Sequence, residues 1–300
     1  MKVKKILKRE DGSAIVLVTL AITALIALTG LVIDGGMLYM TKTHLQKTAN
    51  AAALSGAQEL TNDDSYVREV VEETLTYHEE LDSMSGINIL PETKVTVQLE
   101  KPTEMTFMRI FGIETIDVQA KATASIATMG SAIGAAPLGI DERIDLVYGQ
   151  EYTLKVDERG VDTGNFGILA LDGPGARTYK ETLLNGYSEE LAVGDIVDTQ
   201  TGNIAGPTKE AVDILVNSCD NMYERDCRRI LLIPVYRPYN HNQNQLKQVE
   251  ITGFAYFYLS DRMDQHDKTI KGVFLKRTGT GFEVDDAVNR GAYTVKLTND

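Results

Sequence analysis

Two cysteines, four histidines and no catalytic signature leave this 300-residue chain poor in the residue types that carry most chemistry. It has no Gly-x-Ser-x-Gly elbow to present a serine nucleophile. His78-Glu79-Glu80-Leu81 lacks the second histidine of a zinc-protease helix. Gly173-Pro174-Gly175 lacks the Lys-Ser/Thr of a phosphate loop, and its proline offers no N–H, so it reads as a turn. Asp157, Asp162 and Asn165 miss the EF-hand spacing and Arg159 intrudes, which makes them solvated turn residues. His44, His78, His241 and His266 are scattered. A pairing of Cys227 with His241 or His266 is the one nucleophilic arrangement left open, without a recognisable context. The sequence therefore assigns no catalytic, cofactor-binding or metal-ligating residue, and no enzyme activity or small-molecule substrate is expected.

Basic residues are also short. Lys and Arg number 30 against 43 Asp and Glu, for a net charge of -13. Binding to duplex nucleic acid needs concentrated positive charge, so that class of partner is excluded. Hydrophobic residues make up 43%, enough to bury a sizeable core, and the length suggests two modest domains.

What the chain does have is one long apolar run. From Gly12 to Ile33 no residue is charged, and these positions in a helix span roughly 33 Å, the thickness of a hydrocarbon core. Residues 1–11 carry five bases (Lys2, Lys4, Lys5, Lys8, Arg9) and two acids (Glu10, Asp11), whereas Asp34, Lys42 and Lys47 follow the run. The positive-inside rule then puts residues 1–11 in the cytoplasm and the bulk of the chain outside, in contact with membrane lipid only through 12–33. A cleaved signal peptide has a shorter apolar region with a small-residue exit; this one ends Leu31-Val32-Ile33, and a retained single-pass anchor is expected.

Directly after the run stand Asp34-Gly35-Gly36-Met37-Leu38-Tyr39, then Leu45-Gln46-Lys47-Thr48-Ala49-Asn50-Ala51-Ala52-Ala53. An apolar span ending in Asp-Gly, followed by Leu-Tyr, Leu-Gln and an alanine-rich stretch, resembles the N-terminal module of TadE/TadG-like Flp pilus-assembly proteins. Leu17 stands where processed pilins of this kind carry Glu, so the resemblance is to the uncleaved TadG type. The von Willebrand A motif of some TadG proteins is missing. The resemblance implies a cell-membrane component of pilus assembly or secretion whose partners are pilins, sibling pseudopilins or the secretion platform. Its motif residues, implied to act in interaction, are Asp34, Gly35, Gly36, Tyr39, Leu45, Gln46, Ala49, Ala52 and Ala53.

The residues themselves support a helix from Ser13 to about Leu60, roughly 70 Å long. Leu38, Leu45, Ala49, Ala52, Gly56 and Leu60 recur at helical spacing. That stripe packs either on its own domain or on other subunits. Asp34 is expected at the interface with water. Thr61 to Asp64 has capping-box spacing ahead of a second helix. Alternation at Val95, Val97 and Leu99, and again from Ile116 to Ile126, predicts strands, with Phe107, Ile110 and Phe111 as a short plug between them. Residues 34–128 thus read as a small α+β, pilin-like module. Gly-rich 129–140 reads as a linker, and 141–300 as a mostly β exterior domain, a barrel or sandwich with helices near Tyr179–Asn185 and after Pro207 and a hairpin turn at Gly279-Thr280-Gly281.

Cys219 and Cys227 would lie outside the cytoplasm, where a disulfide fits the redox setting; free thiols and a metal site are the alternatives, and the metal lacks two further ligands. The function expected is non-catalytic. A tethered binding or adhesion module with a patch near Tyr236 to Tyr239, and a tethered hydrolase, are the other readings.

Overall fold

The computed structural model describes residues 11–156, 165–200, 204–242, 245–263 and 268–298. The tail 1–10, residues 157–164 with Asp157 and Asp162, and His266 lie outside the described residues.

The apolar run and the alanine-rich stretch form one helix, α1 (Asp11–Ala57), about 70 Å long. It is followed by α2 (Asp64–Tyr77), β1 (Met84–Leu90), β2 (Lys94–Glu104) and β3 (Thr115–Ala132). Asp63 caps α2 through its carbonyl, which accepts from the N–H groups of Tyr66 and Val67, and makes no side-chain cap. The capping box expected at Thr61–Asp64 is therefore not formed. β1 was not foreseen, because its sequence MSGINIL lacks a clean alternation.

Then come β4 (Leu138–Asp141), β5 (Glu151–Val156), β6 (Asn165–Ile168), α3 (Ala176–Asn185), β7 (Leu191–Ala192), β8 (Ile196–Asp198), α4 (Ala205–Leu215), β9 (Ile230–Asn242), β10 (Gln245–Leu259), β11 (Thr269–Leu275), β12 (Arg277–Thr278), β13 (Phe282–Glu283), β14 (Val288–Asn289) and β15 (Ala292–Thr298). Six of these close on themselves: β11, β5, β6, β4, β9 and β10 pair in that order, and β10 pairs again with β11. The C-terminal unit is thus built on a closed barrel, with α3 and α4 contributing Tyr179, Leu183, Ala211, Val212 and Leu215 to its core. Closure removes the unpaired edges an open sheet would leave.

The other sheet runs β1-β2-β3-β15-β12, with β7 and β13 also on β3. Its face packs against α1 and α2 through Leu45, Ala49, Ala52, Ala53, Val71, Leu75, Val95 and Val97. β15, expected in the exterior domain, instead pairs antiparallel with β3 from Thr123 to Thr128. Alternation shows which face of a strand is buried and says nothing of its partner.

The stretch expected as a linker is also corrected. Met129 to Ala132 is the end of β3 and Leu138 to Asp141 is β4. Its small residues answer to close packing: a Cβ on Gly130 would collide with Val284, and Ala132, Ala135 and Ala136 are buried. Gly279–Gly281 likewise makes no hairpin, since β12 pairs with β15 and β13 pairs with β3.

Candidate interaction site at the membrane exit

α1 emerges from its apolar half at Asp34. Leu25, Leu28, Leu31, Val32 and Ile33 are exposed along that half, and this is the one helix among the described residues long and apolar enough to cross a membrane, by length and composition.

Asp34 is fully buried. The connection between β2 and β3 folds back on it, and its carboxylate accepts from the backbone N–H groups of Thr106 (2.9 Å), Phe107 (2.9 Å) and Met108 (2.7 Å). Phe107 caps and Met108 opens a 3-10 turn, Met108–Phe111, and N–H groups free at such a start favour an anion as partner. The interfacial, water-reaching position expected for Asp34 is corrected: the loop that covers it lies some 70 residues further along the chain. One turn before Asp34, Gly30 receives the Phe107 ring so closely that a Cβ would stand 2.5 Å from Phe107 Cγ. Sequence reasoning missed Gly30, which looks like any small residue in an apolar span.

The other motif residues divide into two groups. Leu45, Ala49, Ala52 and Ala53 have no exposed surface and sit in the chain's own core, so of the two readings left open for the stripe, packing on its own domain is the one observed. Gln46 donates to the carbonyl of Lys121 (2.7 Å), and Lys42 to that of Gln119. Both act where β15 no longer covers β3, since their pairing ends at Thr123 among the described residues, and they satisfy carbonyls a sheet neighbour would otherwise take. Gly35, Gly36 and Tyr39 form the second group. Nothing lies within 4 Å of a Cβ at either glycine, and Tyr39 is 74% exposed with Met40 beside it at 65%. This face is open directly above the apolar half.

The C-terminal unit holds the chain just past α1 and the turn between β1 and β2. Arg225 Nε donates to Glu59 Oε1 (2.8 Å), Thr278 Oγ1 to the carbonyl of Gln58 (2.6 Å), and Lys276 pairs with Glu92 (2.8 Å). Arg225 lies between Cys219 and Cys227, which are bonded to each other with Cα atoms 5.4 Å apart. That bond takes the Cys227 sulfur out of the Cys–His pairing left open above. A cleft of about 1040 Å³ runs beside these contacts, lined by Glu59, Tyr66, Arg225, Tyr256 and Arg277. Within it, burial pushes the Tyr256 hydroxyl up to about 12, and burial, with Arg225 nearby, lowers the Arg277 guanidinium, whose N–H groups reach the carbonyls of Glu224 and Arg225. No group of three or more potential metal ligands gathers among the described residues. Tyr236 is buried, so the aromatic patch expected near Tyr236–Tyr239 reduces to Tyr239.

Residues 12–59 match the family described as "Putative Flp pilus-assembly TadE/G-like". This N-terminal stretch resembles the TadE/G-like family. No curated protein and no solved structure matches the chain. The match runs two residues past the end of α1 at Ala57 and includes Asp34, the buried carboxylate that fastens the β2–β3 loop to the helix.

Proposed function

We propose that this protein is a non-catalytic, single-pass component of Flp/Tad-type pilus assembly or secretion machinery. Its N-terminus lies in the cytoplasm and its bulk outside, and it acts through helix packing and protein–protein contact. The observation that carries the reading is that the pilus-assembly family match falls on the helix long and apolar enough to span a membrane. The charge asymmetry across 12–33 supports the orientation. Pilins, sibling pseudopilins or platform proteins would meet the helix on the face it leaves open, Gly35, Gly36 and Tyr39, where helices can approach closely over the glycines.

The test is a photo-crosslinking residue placed at Tyr39 in intact cells, with one at Tyr77, an exposed tyrosine at the end of α2, as a control away from this face. Pilus-assembly proteins captured from position 39 and not from 77 are expected. Capture of none of them at Tyr39, with the protein in the membrane and folded, would leave only a shared anchor.

A further inference from the structure

The loop that Asp34 fastens to α1 carries an apolar cluster with no use in the fold. Ile110 and Phe111 are each 76% exposed and Ile113 39%. The loop is compact: Ile110 N–H donates to the Phe107 carbonyl (3.1 Å), Ile113 N–H to Met108 (3.2 Å) and Met105 N–H to Glu114 (2.8 Å). Ile110 and Phe111 therefore follow, by three and four residues or a rise of about 6–8 Å in a 3-10 turn, the Phe107 whose ring is seated on Gly30. Gly30 belongs to the apolar run, three residues inside its end at Ile33. The apolar cluster is flanked by exposed carboxylates, Glu104 at the end of β2 and Glu114 as the last residue of the loop.

We propose that the 105–114 loop is a second membrane contact, seating Ile110, Phe111 and Ile113 at the headgroup–acyl boundary beside the anchor helix. The occupant of this apolar surface is lipid because the surface is continuous with the spanning helix at its exit. Arg109, exposed between the apolar side chains, reaches back to the phosphate layer as a snorkelling cation. A helix alone is free to rotate in the bilayer. A wedge clamped to it by a buried carboxylate sets its rotation, and so the direction in which Gly35, Gly36 and Tyr39 face. The inference rests on the reading of 12–33 as a membrane span.

The chain contains no tryptophan, so single-Trp reporters are unambiguous. Phe111→Trp, Leu25→Trp within the span and Tyr223→Trp would each be introduced into the full chain. Tyr223 is exposed and lies by the outer end of α1, about 35 Å beyond Asp34. Each variant is reconstituted into phosphatidylcholine vesicles with and without brominated acyl chains. Phe111→Trp and Leu25→Trp are expected to emit blue-shifted and to be quenched by bromine, and Tyr223→Trp to do neither. If Leu25→Trp is quenched while Phe111→Trp behaves like Tyr223→Trp, the loop contact fails and the anchor stands. If neither is quenched, the anchor reading fails and the loop contact with it. A blue-shifted but unquenched Phe111→Trp means a second protein copy covers the loop, which overturns the lipid assignment.

Discussion

At Asp34 the backbone N–H groups of Thr106, Phe107 and Met108 close over a carboxylate that follows 22 uncharged residues. Three N–H donors replace the water it loses, so its burial is compensated. Glu80 follows the same logic. Burial alone would raise its carboxyl, but the Lys101 ammonium at 2.5 Å, the Ser83 hydroxyl and His44 outweigh that and hold it below its ordinary value of 4.5. The folded carboxyl therefore takes up its proton at lower pH than the unfolded one. Its stabilisation is fully present above about 4.5 and is lost as pH falls through the lower folded value. The melting temperature is expected to drop in that acid window, and Glu80→Gln to make the drop shallower. An acid limb of the same steepness in Glu80→Gln would show that the Lys101 pair contributes nothing there.

At the scale of elements, α1 was legible because two different signals abut without a break: an apolar run to Ile33, then a helical stripe from Leu38 to Leu60. The stripe identifies the buried face, and its small residues predict close approach, but not to what. In the fold the approach is to β2, β3 and α2, and at Gly56 a Cβ would stand 2.5 Å from Val71 Cγ2. Ala49→Leu and Ala52→Leu should therefore act on folding before they act on assembly. Each overpacks a filled core and should cost about 1–3 kcal/mol, read as a lower melting temperature of the purified protein; unchanged melting would mean that this face is not tightly packed. The strands containing Val95 to Leu99 and Ile116 to Ile126 were equally legible from their alternation. β1 was not, because an edge strand with both faces partly exposed has no strong pattern to display.

For the whole molecule, the decisive element is β15. The chain leaves the anchor module after β3, builds the barrel, and returns its last strand to β3. The two units therefore share a sheet as well as the Arg225–Glu59 and Lys276–Glu92 pairs. Ending the chain after Asn289 would strip β3 of its neighbour from Thr123 to Thr128 and bare an edge. The truncated protein is expected to lose protease resistance in the anchor module as well as in the C-terminal unit. A module that stays resistant after the truncation would make β15 an accessory strand.

Sequence by itself determined the long helix, its apolar half, the strand-rich C-terminal half and the likeness to a pilus-assembly module. These rest on runs and periodicities that neighbouring residues express together, so they survive without knowledge of contacts. Tertiary structure alone decided that Asp34 is buried, that Gly30 seats a phenylalanine, that the small residues of 129–140 are packing sites, and that β15 closes the first sheet. Each of those facts is a meeting of residues distant in sequence, and the chemistry of either partner is complete only once the other has arrived.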